Sequence, residues 1–76
     1  MSEQKFKRHQ KVKILVIPNE EYVEYYTDTP IKITKGMSGK INLLLPNGQY
    51  HVEILDDKEE TLAYAPFNEE DLEAEE

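Results

Sequence analysis

The chain has 76 residues, no cysteine and a formal net charge of −7. This length allows one small domain, and the lack of cysteine excludes disulfides, thiolate metal sites and thiol nucleophiles. No apolar run approaches the roughly 20 residues of a membrane span, and the charged first residues do not resemble a signal peptide. The lack of cysteine favours the reducing cytoplasm. Because the excess of carboxylates would repel a phosphate backbone, we expect partners that are proteins and no nucleic acid.

Residues 1–9 are polar and mostly basic, and we expect them to form a flexible arm before a domain spanning residues 10–73. The first strand is predicted over residues 11–17, where the alternation places Val12, Ile14 and Val16 on the core face. Pro18 is expected to end this strand. Residues 74–76 form an acidic tail.

A long irregular connection is predicted over residues 19–35, with a turn at residues 28–30 and a short returning strand at residues 31–34. Tyr22, Tyr25 and Tyr26 lie there among several carboxylates. A loop of this length in so small a domain is usually functional, and tyrosine offers contact area at low entropic cost. The connection therefore predicts a recognition surface, and the alternative is that one or two of these rings cap the core.

The strongest local signal is a β-hairpin with strands at residues 40–45 and 49–55 around a two-residue type I′ turn, Asn47-Gly48. This turn pairs core residues across the strands: Leu45 with Tyr50, Leu43 with Val52, and Ile41 with Ile54. It also places Leu44 beside His51 on the outer face. The outward aliphatic residues Leu15, Ile17, Leu44 and Leu55 indicate a second interface, and the alternative is that they pack under the long loop.

The rest of the chain predicts a charged turn at residues 56–60, a strand at residues 61–65 ended by Pro66, a one-turn helix capped by Asn68, and a last strand from Leu72. Together these elements indicate an all-β fold, a small five-stranded SH3-like barrel with a long first loop; the rival is an OB-like barrel. The predicted core consists of Val12, Ile14, Val16, Ile33, Ile41, Leu43, Val52, Ile54, Leu62 and Leu72, with Tyr50 and Phe67 closing the ends.

No catalytic constellation is visible in the sequence, and we expect no enzyme, cofactor or metal site. The acidic turn at residues 56–60 lacks the alternating ligands and central glycine of a calcium loop. His51 is the only candidate for a catalytic group, and an exposed or interface histidine is the simpler interpretation.

Two segments resemble known accessory proteins: Lys11-Val12-Lys13-Ile14 followed some twenty residues later by Gly36-Met37-Ser38-Gly39-Lys40-Ile41, and the ending 64–72, YAPFNEEDL. The first is similar to the variable chain of ferredoxin-thioredoxin reductase, and the second to the closing turn of that chain, of photosystem I subunit IV and of NifZ. The resemblance covers roughly residues 11–73. It implies a non-catalytic accessory subunit that docks on a larger redox enzyme, and no functional residue is transferred by it.

The sequence thus predicts an accessory or regulatory subunit that binds a basic patch on a larger protein. The predicted partner-binding residues are Tyr22, Tyr25, Tyr26, Glu21, Glu24, Leu44 and His51. The alternative is an acidic regulator or inhibitor that occupies a basic groove of a nucleic-acid-binding protein.

Overall fold

The computed structural model describes residues 5–26 and 31–75. These residues form six strands: β1 (Lys11–Ile14), β2 (Glu24–Tyr25), β3 (Ser38–Leu44), β4 (Tyr50–Leu55), β5 (Thr61–Phe67) and β6 (Leu72–Ala74). Two short 3₁₀ helices complete the fold, the first 3₁₀ turn at Glu20–Tyr22 and the second 3₁₀ turn at Glu69–Asp71.

All six strands belong to one antiparallel sheet with the order β2-β5-β4-β3-β1-β6. The all-β prediction is confirmed. The count of five strands is wrong, because two residues of the long connection pair with β5 as β2. Strands β2 and β6 are the two edges of the sheet and do not pair with each other in the described part of the chain, so the sheet is not closed.

The hairpin exists, but its register differs from the prediction. Residues 45–48 form a turn with Pro46 as its first central residue, and the Gly48 amide donates to the Leu45 carbonyl at 3.0 Å. Gly48 has a positive φ of 90°. The loop therefore has three residues instead of two, and Leu43 faces His51 while Leu44 faces Tyr50. A β-bulge at Asn42 then shifts the register once more and pairs Ile41 with Val52.

The core differs from the predicted one in ways that follow from these shifts. Leu43, predicted inside, is 40% exposed, and Leu62 and Val16 are only partly buried. Leu55, predicted outside, is buried at the end of β4, where a second bulge at Leu62 changes the register between β4 and β5. The buried residues are Phe6, Val12, Ile14, Ile33, Ile41, Tyr50, Val52, Ile54, Leu55, Ala63, Ala65, Phe67 and Leu72.

β5 presents the face opposite to the predicted one. Ala63 and Ala65 point into the core, and Tyr64 lies on the outer face. Pro66 does not end this strand, because its nitrogen faces the β2 side and not β4. The Leu62 carbonyl accepts from the Tyr26 amide at 2.9 Å, so the backbone polar groups of Leu62 face the β2 side. Alternation along the strand gives those of Pro66 the same direction. No ladder bond to β4 is lost there.

Three other segments also bear on the predictions. Residues 31–34 do not form the expected strand, although Ile33 is buried, and the turn predicted at residues 28–30 lies outside the described residues. β1 ends at Ile14 rather than residue 17. The one-turn helix before the last strand is confirmed as the second 3₁₀ turn.

Candidate functional site

A groove of about 510 Å³, called here the acidic groove, lies between the long connection and the second 3₁₀ turn. The segment between β1 and β2 supplies Ile17, Pro18 and Tyr22 to one wall. The tip of the β3–β4 hairpin and the end of β5 supply the other residues, namely Asn47, Gln49, Pro66, Phe67, Asn68 and Asp71, with Val16 and Asn19 at the margin.

Local hydrogen bonds fix both sides of the acidic groove. The side chain of Asn19 caps the first 3₁₀ turn by accepting from the Glu21 amide at 3.0 Å. On the opposite side, the Gln49 side-chain amide donates to Asn68 Oδ1 at 3.2 Å and joins the hairpin tip to the second 3₁₀ turn. Asn68 therefore bonds Gln49 rather than capping the turn with its side chain. Tyr22 is thus presented from an anchored turn.

The two 3₁₀ turns that border the acidic groove carry carboxylates, of which Asp71 lines the groove itself. Glu20 and Glu21 occupy the first 3₁₀ turn, and Glu69, Glu70 and Asp71 occupy the second. No lysine or arginine lines this groove within the described residues, where the sole ion pair, Lys11 with Glu59 at 2.9 Å, lies elsewhere. Its potential is therefore negative, and a cationic surface fits it electrostatically.

The three tyrosines of the long connection do not form one surface. Tyr22 is 62% exposed and lines the acidic groove. Tyr25 faces Ala63 and packs against the core, as expected for one capping ring. Tyr26 is 66% exposed and lies beside β5, where its amide bonds the Leu62 carbonyl.

The remaining predicted site residues lie on other parts of the surface. Glu21 and Glu24 are exposed; Glu21 lies in the first 3₁₀ turn without lining the acidic groove, and Glu24 lies opposite Tyr64 on β5. Leu44 does not lie beside His51 as predicted, since it faces Tyr50 and is 40% exposed. His51 faces Leu43 and Pro66 instead.

His51 belongs to a polar and aromatic cluster on the outer face of the sheet. Its ring stacks on Tyr64 with centroids 5.4 Å apart and an interplanar angle of 11°, and its Nδ1 lies 2.9 Å from Asn42 Nδ2. Glu53 accepts a hydrogen bond from the Thr61 hydroxyl. Burial raises the pKa of Tyr64 above its ordinary value, and the nearby Glu53 carboxylate and Tyr26 raise it further.

Sequence reasoning missed the polar half of the acidic groove and the outer-face cluster. Asn47, Gln49, Asn68 and Asp71 come from three separated loops, and only the strand order brings them to one place. The prediction of Leu62 in the core implies by alternation that Tyr64 shares its side of β5, whereas Ala63 and Ala65 are the buried residues. The signal for the buried face of β5 was the pair of small residues Ala63 and Ala65 on either side of Tyr64, because a crowded interior accepts small side chains.

The described residues contain no group of three or more His, Asp or Glu side chains arranged to hold a metal ion. No helix in the described residues is long and apolar enough to cross a membrane. Comparisons with protein-family models, with curated proteins and with solved structures found no match to this chain.

Proposed function

We propose that this domain is a non-catalytic accessory or regulatory subunit that docks on a larger protein through the acidic groove. The observation that supports this proposal is the placement of Tyr22, 62% exposed, in a groove that it lines from the first 3₁₀ turn and Asp71 lines from the second; the two turns together carry five carboxylates. An exposed aromatic ring in a groove supplies contact energy, and the surrounding carboxylates select a basic partner.

The overall charge supports the same direction of binding. A net charge of −7 on 76 residues steers encounters toward positively charged surfaces, and that attraction weakens as salt screens it. Apolar burial around Ile17, Pro18 and Tyr22 is less sensitive to salt. The docked complex therefore forms quickly at low salt and, once formed, persists when the salt is raised.

The finer assignment of the fold belongs to the same proposal. The order β5-β4-β3-β1-β6 and a 3₁₀ turn before the last strand support an SH3-like barrel with one added edge strand, β2. The accessory subunits with the similar glycines and closing turn serve redox enzymes, and a redox partner is proposed on that resemblance alone. Fold likeness is an associational argument, so the partner has to be identified by binding.

The test begins with a tagged pull-down from the native source, washed at low and at high salt, and continues with titration calorimetry on the purified partner. Tyr22→Ala is expected to weaken binding about thirtyfold, as truncation of an interface anchor does. Tyr26→Ala is the matched control, because Tyr26 is equally exposed but lies outside the acidic groove. Equal losses in the two variants, or no loss in either, would contradict docking through the groove.

The alternative proposal is an acidic regulator that occupies a basic groove of a nucleic-acid-binding protein. The five carboxylates of the two 3₁₀ turns favour it as much as they favour the accessory subunit. It predicts binding that falls steeply with salt and does not depend on Tyr22. Titration calorimetry of the unchanged protein and of Tyr22→Ala, each at low and at high salt, therefore separates the two proposals.

A further inference from the structure

Two consecutive leucines at the end of β3 are exposed, Leu43 opposite His51 and Leu44 opposite Tyr50. The three-residue loop and the bulge at Asn42 leave Leu43 and Leu44 outside the core, each 40% exposed. A β-bulge often re-aims side chains at a functional surface. In a chain with so few core residues, two adjacent exposed leucines are a notable loss of burial.

Arg8 is held against the same surface. Its Nε donates to the Asn42 carbonyl, the bulged residue of β3, at 3.1 Å. The segment that carries it is fixed by a turn, in which the Gln10 amide donates to the Lys7 carbonyl at 3.0 Å, and by the His9 amide, which donates to the Ile41 carbonyl at 2.7 Å. Arg8, Leu43 and Leu44 line one pocket of about 300 Å³, called here the basic leucine patch, whose floor is formed by buried core residues.

The charge of the basic leucine patch is opposite to that of the whole chain. Lys5 and Lys7 flank Arg8 in the sequence, and the Lys5 ammonium lies 5.4 Å from the centroid of the Phe6 ring in the floor of the patch. Within residues 5–26 and 31–75, no carboxylate lies within ion-pair distance of these three cations, and the two terminal nitrogens of Arg8 make no hydrogen bond. A guanidinium so placed can bind a carboxylate with two parallel hydrogen bonds.

We propose that the basic leucine patch binds an acidic, leucine-containing segment of a partner protein. A carboxylate of that segment pairs with the terminal nitrogens of Arg8, and a neighbouring aliphatic side chain covers Leu43 and Leu44. This surface shares no lining residue with the acidic groove, so the domain has two docking surfaces of opposite charge. A protein segment is favoured over an anionic bilayer, because the patch is a pocket of about 300 Å³ that a protruding side chain can fill, whereas a bilayer presents a broad surface.

The probe is a capped peptide of six Glu-Leu repeats, titrated into the isotopically labelled full chain while methyl and arginine Nε signals are followed by NMR. Signals of Leu43, Leu44 and Arg8 are expected to shift together. Arg8→Gln and Leu44→Ser should each weaken binding about tenfold, through the lost charge-assisted pair and the lost apolar contact. The matched controls are Lys13→Gln, an exposed cation on β1, and Leu15→Ser, a leucine that is 38% exposed.

Peptides of Glu-Ser and of Lys-Leu repeats separate the two contributions, and neither is expected to shift the three signals. The proposal is overturned if the Glu-Leu peptide leaves them unshifted, if the Glu-Ser peptide binds as well, or if Lys13→Gln and Leu15→Ser weaken binding as much as the patch variants. Vesicles of phosphatidylglycerol shifting these signals where the Glu-Leu peptide does not would assign the patch to a lipid surface and overturn the protein partner. Spectra of each variant without peptide report that the fold is retained.

Discussion

The surroundings of Tyr64 raise the pKa of its phenol. Its ring lies between the stacked ring of His51 and the carboxylate of Glu53, which faces it across the β4–β5 pair. Burial favours the neutral phenol over the phenolate, and a neighbouring negative charge acts in the same direction, so the pKa of Tyr64 lies above its ordinary value of 10.0.

Glu53→Gln is expected to lower the pKa of Tyr64, because it removes the negative charge while it keeps the size of the side chain. A pH titration of the Tyr64 ring carbons by NMR measures this shift. Glu24→Gln is the matched control, since Glu24 also faces Tyr64, from β2, but does not contribute to its raised pKa. A larger shift in the Glu24 variant than in the Glu53 variant would contradict the assignment.

The same shift affects stability at alkaline pH. Because the pKa of Tyr64 is raised by folding, the favourable contribution of its neutral form is complete below pH 10 and is lost as the pH rises through the raised pKa. The free energy of unfolding should therefore fall less steeply above pH 10 in Glu53→Gln than in the unchanged protein. Urea denaturation at several alkaline pH values tests this expectation.

One glycine of the Gly-Met-Ser-Gly segment has a clear structural cause. Gly39 faces Ile54 in the β3–β4 pair, and a Cβ on it would lie 2.8 Å from Val52 Cγ1 and 2.9 Å from the Glu53 carbonyl oxygen. The backbone of β3 thus approaches β4 too closely for a side chain. The other glycine, Gly36, has a positive φ of 88° in the turn just before β3.

At the scale of elements, the segment before β1 is part of the packed structure. Phe6, which lies in the arm predicted to be flexible, is buried and meets the Tyr50 ring edge-on, with centroids 5.4 Å apart and an angle of 77°. The amides of Lys5 and Phe6 both donate to the Tyr50 hydroxyl, at 3.0 and 3.3 Å. The buried hydroxyl and this segment therefore satisfy each other's polar groups.

Phe6→Ala is expected to lower the free energy of unfolding by about 3 kcal/mol, since it removes a fully buried aromatic ring and leaves a cavity. Lys7→Ala, at an exposed neighbour, should change it by less than about 0.5 kcal/mol. Urea denaturation followed by tyrosine fluorescence measures both values. Similar small effects from the two substitutions would show that the segment contributes no stability and that the arm behaves as the sequence suggested.

The sequence predicted the all-β class, the hairpin and the one-turn helix before the last strand, because each depends on local turn chemistry or on alternation within one segment. It misplaced Leu43, Leu55 and Leu62, because a loop one residue longer and two bulges shift the pairing, and bulges have weak local signals. Pro46 before Asn47-Gly48 was the available signal for the longer loop. The acidic groove could not be predicted, since loops distant in sequence form it.

At the scale of the whole molecule, cations and carboxylates are segregated along the chain and remain so in the fold. Arg8, from the basic residues 5–8, lines the basic leucine patch, and the two 3₁₀ turns that carry five carboxylates border the acidic groove. Because charges of opposite sign are separated on the surface, the electric field of a partner orients the domain as well as attracting it. A small domain with this arrangement is suited to bridge a basic and an acidic surface within one assembly.

The open sheet also presents an edge that has to be protected from other chains. β5 is seven residues long, but β2 covers only its middle, where Glu24 faces Tyr64 and Tyr25 faces Ala63. Beyond Tyr64, the next residue whose nitrogen faces that edge is Pro66, which has no N–H to offer. Proline at an exposed strand edge prevents another strand from extending the ladder.

Pro66→Val is therefore expected to promote association between copies, because it supplies an edge N–H and a residue that favours strands. Analytical ultracentrifugation over a range of concentrations should show a larger share of dimer or higher species for Pro66→Val than for the unchanged protein. Lys13→Val is the matched control, since it adds the same side chain on β1, a strand paired on both sides by β3 and β6. Association of both variants would point to added surface hydrophobicity, and association of neither would mean that the edge is protected by something other than Pro66.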